Sequence, residues 1–210
     1  MQAINTGGIR GSMSEPIDQL TLHFVRHGET AGNAERRFQW PDTPLSEQGL
    51  AQAAAVAETL CETTRASSIL SSDYRRTMQT AETIGGRLGL AVVEEPALRE
   101  RNFGIARGQL YADIGEELQK IWREPHFRIE QGESWADVYD RVSAFLAGLR
   151  ASPPARELIL VTHGGAMSVA LTVLAGTPID SFEVMALENC AVRTVTVPIE
   201  PDLASAAAGT

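Results

Sequence analysis

The chain of 210 residues holds only two cysteines, Cys61 and Cys190, too few and too plainly spaced for a disulfide framework or a zinc site. They are expected to be buried free thiols. Long apolar runs are missing too. The longest candidate, residues 166–175, is interrupted by Ser168 and Thr172 and reads as a core helix rather than a membrane span. The first residues lack the apolar core of a secretory signal, so the cytoplasm is the expected compartment. Positive charge is in deficit: 18 Lys and Arg against 27 Asp and Glu leave a net charge of -9. That argues against nucleic acid or an anionic membrane as partner. A small phosphorylated substrate stays admissible, because a local arginine cluster outweighs a distant negative surface within a short screening length.

What remains is an ordinary hydrophobic content of 43% and no shift of composition along the chain, which together fit one α/β domain over residues 20–198. Residues 1–19 are read as an extension, its first dozen polar, glycine-bearing and partly vector-derived. Residues 199–210, rich in Ala and Ser, are read as a flexible tail.

The informative stretch is Arg26, His27, Gly28, Glu29 and Thr30, directly after the apolar run of residues 20–25. A strand ending there projects a cation and an imidazole from its carboxyl end, where open α/β sheets bind ligands. Gly28 lets backbone approach a ligand closely, and Thr30 and Asn33 can add neutral hydrogen bonds. A fixed cation beside a potential nucleophile suits an anionic substrate, phosphate first. Alone, this would be a surface loop with a turn glycine. A second apolar run, residues 158–161, also ends in a histidine backed by glycines: Thr162, His163, Gly164 and Gly165. Two strand-terminal histidines so far apart in sequence are hard to explain by packing, so they are expected to converge on one site.

With these motifs stand Pro44-Leu45-Ser46, the run Ser71 to Ala81 containing Asp73, Tyr74, Arg75 and Arg76, then Leu98-Arg99-Glu100-Arg101 and Gly132-Glu133-Ser134. In order and spacing the chain resembles the histidine phosphatase superfamily, also called the phosphoglycerate mutase-like family, from about residue 20 to 197. The resemblance implies a three-layer α/β/α sandwich with a mostly parallel sheet, and a phosphohistidine mechanism without metal or other cofactor. It implies catalytic roles for Arg26, His27, Arg76, Glu100 and His163, with Gly28, Thr30, Asn33 and Gly164 in substrate binding. Glu100 matches the proton donor. The segment from Phe103 to Gly108 departs from the pattern: it lacks the tryptophan and the acidic residue that many relatives carry before the last glycine.

Along the chain, Trp40 reads as a packing residue. Ser46 reads as an N-cap with Glu47 in the first turn, and Leu50, Ala53, Ala54, Ala57 and Leu60 as the buried face of that helix. Ser71, Ser72 and Asp73 are suited to cap a helix over about residues 74–88, whose buried face is Thr77, Ala81, Ile84 and Leu88. Arg75 and Arg76 lie about 100° apart there, so only one faces the site; the resemblance assigns Arg76. From the residues alone, Arg99, Glu100 and Arg101 read equally well as a solvated ion-pair cluster. A helical patch is expected around Ile114, Leu118 and Ile121, and Trp135, Val138, Val142, Phe145, Leu146 and Leu149 form a later helical stripe. Residues 191–197 alternate like a half-exposed edge strand. Arg123, His126 and Arg128 are candidates for substrate choice or members of an exposed basic loop.

In this reading His27 attacks phosphorus, Arg26, Arg76 and His163 hold the oxygens, and Glu100 protonates the leaving group. The neighbouring phosphate dianion favours that proton, which predicts a neutral-to-acidic rate optimum. A metal-dependent hydrolase, a mutase and a non-catalytic phosphate-binding module are the rivals. The oligomeric state is open, a homodimer included.

Overall fold

The computed structural model describes residues 18–200; the residues read as vector-derived and most of those read as a flexible tail lie outside that range. In chain order the elements are β1 (Gln19–Arg26), α1 (Ala31–Ala34), α2 (Glu47–Thr63), β2 (Ser68–Ser71), α3 (Arg75–Leu88), β3 (Val92–Glu94), α4 (Glu117–Arg123), α5 (Trp135–Ala151), β4 (Glu157–Thr162), α6 (Gly164–Leu174) and β5 (Val192–Pro198). Short 3-10 turns lie among them. The sheet order is β3-β2-β4-β1-β5. The first four strands run parallel, and β5 closes one edge antiparallel to β1.

The two central strands show why the sheet must be covered twice. On β1, Leu20, Leu22 and Phe24 face one way and Val25 the other, and on β4 Leu158 and Leu160 oppose Ile159 and Val161; all are fully buried. Successive strand side chains point to opposite faces, so apolar residues at consecutive positions need a layer on each side. One layer is α5 and α6, through Trp135, Val138, Val142, Met167 and Val169. The other is α2 and α3, through Val56, Ala57, Leu60, Ala81 and Ile84. The arrangement is the three-layer α/β sandwich that the sequence leads one to expect. His23, the histidine within β1, is used up between strands: its ring nitrogens lie 2.9 Å from Thr194 Oγ1 and 2.9 Å from Glu157 Oε1.

Local expectations need several corrections. Ser46 does cap α2, accepting from Gly49 N, but Leu50 is 45% exposed and Ala54 is exposed as well. The buried stripe is Gly49, Ala53, Val56, Ala57 and Leu60, because Gly49 packs backbone to backbone on the loop after β1 and sets the rotation of the helix. Phe145 of α5 is only half-buried, whereas the rest of its predicted stripe is buried. Trp40 is 52% exposed rather than packed. Both cysteines are free and only half-buried. Helix α6 starts at Gly164, earlier than the apolar run suggested, and α3 is entered from Tyr74 without a side-chain cap. The start of the predicted tail is tied down: Ile199 N donates to Asp18 O, and Glu200 N donates to Arg150 O.

Candidate active site

The carboxyl ends of β1, β2 and β4 meet at one place, and they carry His27, Ser72 and His163. His27 is buried and its backbone is pinned to β4, with its N–H donating to Thr162 O at 3.0 Å. Its Nδ1 lies 2.7 Å from Gly28 O. A carbonyl only accepts, so Nδ1 carries the proton and Nε2 keeps its lone pair. Burial, with Arg76 and Arg26 adding like charge, holds the ring well below the usual histidine value. The imidazole is neutral at neutral pH and presents an unprotonated nitrogen.

His163 stands against it, with ring centroids 5.2 Å apart. Its Nε2 lies 2.9 Å from Ser72 Oγ, and its buried Nδ1 has no partner. Two arginines supply the positive charge. Arg26 gives one guanidinium nitrogen to Leu187 O, and Arg76 gives one to Trp40 O at 3.0 Å, yet the buried Nε of each has no partner. Burial lowers both, Arg76 to about 10 against the opposing pull of Glu100. Arg75, its neighbour on α3, is exposed. A buried donor left unpaired costs roughly 1–3 kcal/mol; the two guanidinium nitrogens are such donors, and His163 Nδ1 is a third in the tautomer in which Ser72 Oγ gives its proton to Nε2.

Glu100 comes from the loop after β3 and lies at the start of α6. Its Oε1 accepts from Arg101 N at 2.9 Å and Ala166 N at 3.2 Å, and Oε2 accepts from Gly165 N at 3.0 Å. Gly165 makes this contact sterically feasible: a Cβ there would sit 2.5 Å from Glu100 Oε1 and 2.5 Å from the Trp135 ring. The helix N-terminus, a ready anion site in many α/β proteins, is thus occupied by the protein's own carboxylate. Oε2 accepts one N–H only.

Arg26, His27, Arg76 and Glu100 line one cavity of about 220 Å3, together with Asn33 and Gly164. Gly164 sits against the guanidinium, where an added Cβ would come within 3.4 Å of Arg26 Nε. Gly28, Thr30 and His163 do not line this cavity; His163 is fully buried against His27. The N–H of Gly28 donates to Thr80 Oγ1 at 3.1 Å, and its missing Cβ makes room for α2, since a Cβ would lie 2.4 Å from Gly49 O. Its glycine serves helix docking rather than ligand approach. Thr30 caps α1, accepting from Asn33 N and donating to Gln39 Oε1 at 2.8 Å. Both therefore support the site loop from behind.

The outer wall holds residues that sequence reasoning missed. Arg37, Tyr74, Arg107, Tyr111 and Trp122 line the same cavity, as does Arg101, whereas His126 pairs with Asp180 and Arg128 with Asp137 on the exposed surface, and Arg123 is exposed. Arg101, the second arginine beside Glu100, is 1% exposed and donates to the carbonyls of Glu133, Ile121 and Phe127. Its guanidinium lies 4.9 Å from the Trp135 ring centre. It clamps the segment around α4 onto α5. Arg99 pairs with Asp73 outside the cavity, so the predicted cluster of three splits into three different surroundings. Among the described residues no group of three or more His, Cys, Asp or Glu is arranged to hold a metal ion, and no helix is long and apolar enough to cross a membrane.

Comparison with known proteins gives the family and the fold. Over 193 residues, 89% of its length, the chain is 36% identical to the Cronobacter sakazakii protein named "Probable phosphoglycerate mutase GpmB", covering 89% of that protein. Among solved structures, mycobacterial glucosyl-3-phosphoglycerate phosphatase superposes with a TM-score of 0.77 at 33% identity, over 85% of this chain and 90% of that one. A structure named mycobacterial hydrolase 1 gives 0.76 at 34% identity, over 85% and 92%. Residues 22–200 match the sequence pattern of the histidine phosphatase superfamily (branch 1), and the chain belongs to that family.

Proposed function

We propose that the protein is a metal-independent phosphomonoester hydrolase that acts on a small phosphorylated metabolite through a phosphohistidine. The observation that carries the reading is the set of three buried, unpartnered nitrogens, Arg26 Nε, Arg76 Nε and His163 Nδ1, around a histidine whose tautomer leaves Nε2 open. A phosphoryl group supplies an acceptor for each. In the first step His27 Nε2 bonds to phosphorus as the ester P–O bond breaks, and the proton on Glu100 passes to the leaving oxygen. The arginines and His163 meet the charge on the equatorial oxygens, where fixed donors act most strongly. In the second step water bonds to phosphorus, its proton returns to Glu100, and the P–N bond breaks to release phosphate.

The relatives bear on both readings of the family. The identity to a protein named as a phosphoglycerate mutase supports isomerisation as the second reading, in which a second hydroxyl of the bound alcohol, rather than water, bonds to phosphorus as the P–N bond breaks. The test is phosphate release from a panel of phosphomonoesters in excess chelator, with His27→Ala beside the parent. Hydrolysis that survives chelation and falls at least about 10^4-fold in the variant is expected for a lost nucleophile. Undiminished release by His27→Ala would refute the mechanism. Isomerisation without net phosphate release would replace hydrolysis by the mutase reading.

A further inference from the structure

The motif Gly132-Glu133-Ser134 takes no part in lining the active-site cavity, yet it is built against the loop that carries Glu100. Gly132 packs on that loop with no room for a side chain: a Cβ would lie 2.5 Å from Asn102 O and 3.0 Å from Gly104 N. Glu133 grips Asn102 twice, its N–H donating to Asn102 O at 2.8 Å and its Oε2 accepting from Asn102 N at 2.8 Å. Ser134 caps α5. About two turns on from that cap, on the same face of the helix, stands Arg141, whose Nε donates to Glu133 Oε1 at 3.2 Å.

Arg141 gives its other donors to the same loop. Nη1 donates to Ala97 O at 2.7 Å, and Nη2 to Arg99 O at 2.8 Å and to Glu100 O at 3.2 Å. The last contact reaches the proton donor itself. A trans peptide is planar, with its C=O and N–H pointing opposite ways. The unit whose oxygen Arg141 holds therefore turns the Arg101 N–H the other way, onto Glu100 Oε1, 2.9 Å off. The next N–H along the chain, that of Asn102, is the one that Glu133 takes. Two consecutive peptide units behind Glu100 are thus fixed, one by Arg141 and one by Glu133, and the two grips are joined by an ion pair whose side chains are only 22% and 26% exposed.

We propose that Glu133 and Arg141 are positioning residues for the general acid: they hold the Glu100 carboxyl where it meets the leaving oxygen. This rests on the phosphomonoesterase reading, in which Glu100 gives its proton to that oxygen. Neither residue touches the substrate. Their loss frees residues 97–102 to shift, and a misplacement of about 1 Å at a reacting group costs on the order of a hundredfold. The loss falls on proton transfer, because Arg26, His163 and Arg76 are carried by β1, β4 and α3 and keep their places.

The test uses two phosphomonoesters of similar size: p-nitrophenyl phosphate, whose weakly basic leaving oxygen departs without a proton, and benzyl phosphate, whose alkoxide needs one. The quantity read is kcat/KM, which reports the formation of the phosphohistidine. In Glu100→Gln, the reference, it is expected to fall by about 10^2- to 10^4-fold for benzyl phosphate, the usual contribution of a general acid, and by less than about tenfold for p-nitrophenyl phosphate. Arg141→Gln is expected to lose about 10- to 100-fold on benzyl phosphate and less than about threefold on p-nitrophenyl phosphate. Arg141→Lys and Glu133→Gln, milder changes at the same contacts, fall between it and the parent. Both esters are read on one preparation, so a partly unfolded variant lowers both rates alike and leaves their ratio unchanged. Adding Arg141→Gln to Glu100→Gln changes the ratio no further, as two residues acting through one proton require. An equal loss on both esters in Arg141→Gln, or a ratio that keeps falling in the double variant, would overturn the positioning role. No difference between the esters in Glu100→Gln would instead remove Glu100 as the acid, and the pair's role with it. If the parent releases phosphate from neither ester, the hydrolase reading fails for them, and phosphorylation of His27 in quenched single turnovers decides: the same pattern of ratios supports the role, and its absence rejects it.

Discussion

Arg76 and Arg101 are both almost fully buried, and burial pushes both guanidinium groups down to about 10. They differ in what their donors meet. Arg101 gives Nε and both terminal nitrogens to three backbone carbonyls, whereas Arg76 gives one nitrogen to a carbonyl and keeps a buried Nε without a partner. The first belongs to the wall made by residues 99–133, the second to the strand-end floor. A buried cation that is fully satisfied serves the fold; one held incomplete serves a ligand.

That difference is breakable by paired substitutions. Arg76→Leu is expected to lower kcat/KM for phosphate release by about 10^2- to 10^3-fold, the usual loss for one preorganised donor to a transition-state oxyanion, while the urea midpoint holds or rises because a costly buried charge is gone. Arg101→Leu is expected to cost about 3 kcal/mol of stability in urea unfolding, since three carbonyls lose their donor. Should Arg76→Leu destabilise as much as Arg101→Leu, the distinction between floor and wall fails.

Acid sharpens the same contrast. His27 and His163 are neutral in the fold because burial first, then Arg76, holds both well below the ordinary histidine value. The unfolded chain titrates them near 6.5. Above that pH neither state binds a proton and stability is flat. Below it the unfolded state binds two protons that the folded state refuses, so stability falls as pH falls, by about 1.4 kcal/mol per unit for each ring. The fall continues until the folded values are reached. Asp73 and Asp137, held below 3.8 in the fold, act only in stronger acid. Urea unfolding between pH 7 and 5 is expected to show about half the parent's slope in His163→Asn. An unchanged slope would mean that the strand-end floor is not the acid-sensitive part.

The floor was legible in the sequence and the wall was not, for a physical reason. His27 and His163 each follow an apolar run that must be a buried strand, so their direction is set by the pleat, and the helical turn separates Arg76 from Arg75. Gly28 misled because a glycine's missing Cβ shows in sequence but the neighbour that needs the space does not; here it is Gly49 on α2. Arg101 and Arg107 sit in loops and 3-10 turns, where no period predicts which side chain turns inward. The departure from the family pattern between Phe103 and Gly108 was the one signal that the wall would differ.

Within the wall the comparison narrows to Arg107, which sequence reasoning did not single out, against Arg128, which it did. Arg107 lines the cavity. Arg128 is paired with Asp137, and their side chains are 60% and 29% exposed. An ion pair as open as that is worth about 0–1 kcal/mol, and its removal leaves Asp137 still accepting from Ser134 in the capping box of α5. Arg128→Gln is therefore expected to shift stability by less than about 0.5 kcal/mol, as for other surface changes. It should also leave kcat/KM for phosphate release within about twofold of the parent's, since an exposed and paired surface charge is screened by solvent and salt. A loss greater than about tenfold would show that the segment after α4 reaches the bound substrate, and Arg128 would then join the arginines that line the cavity.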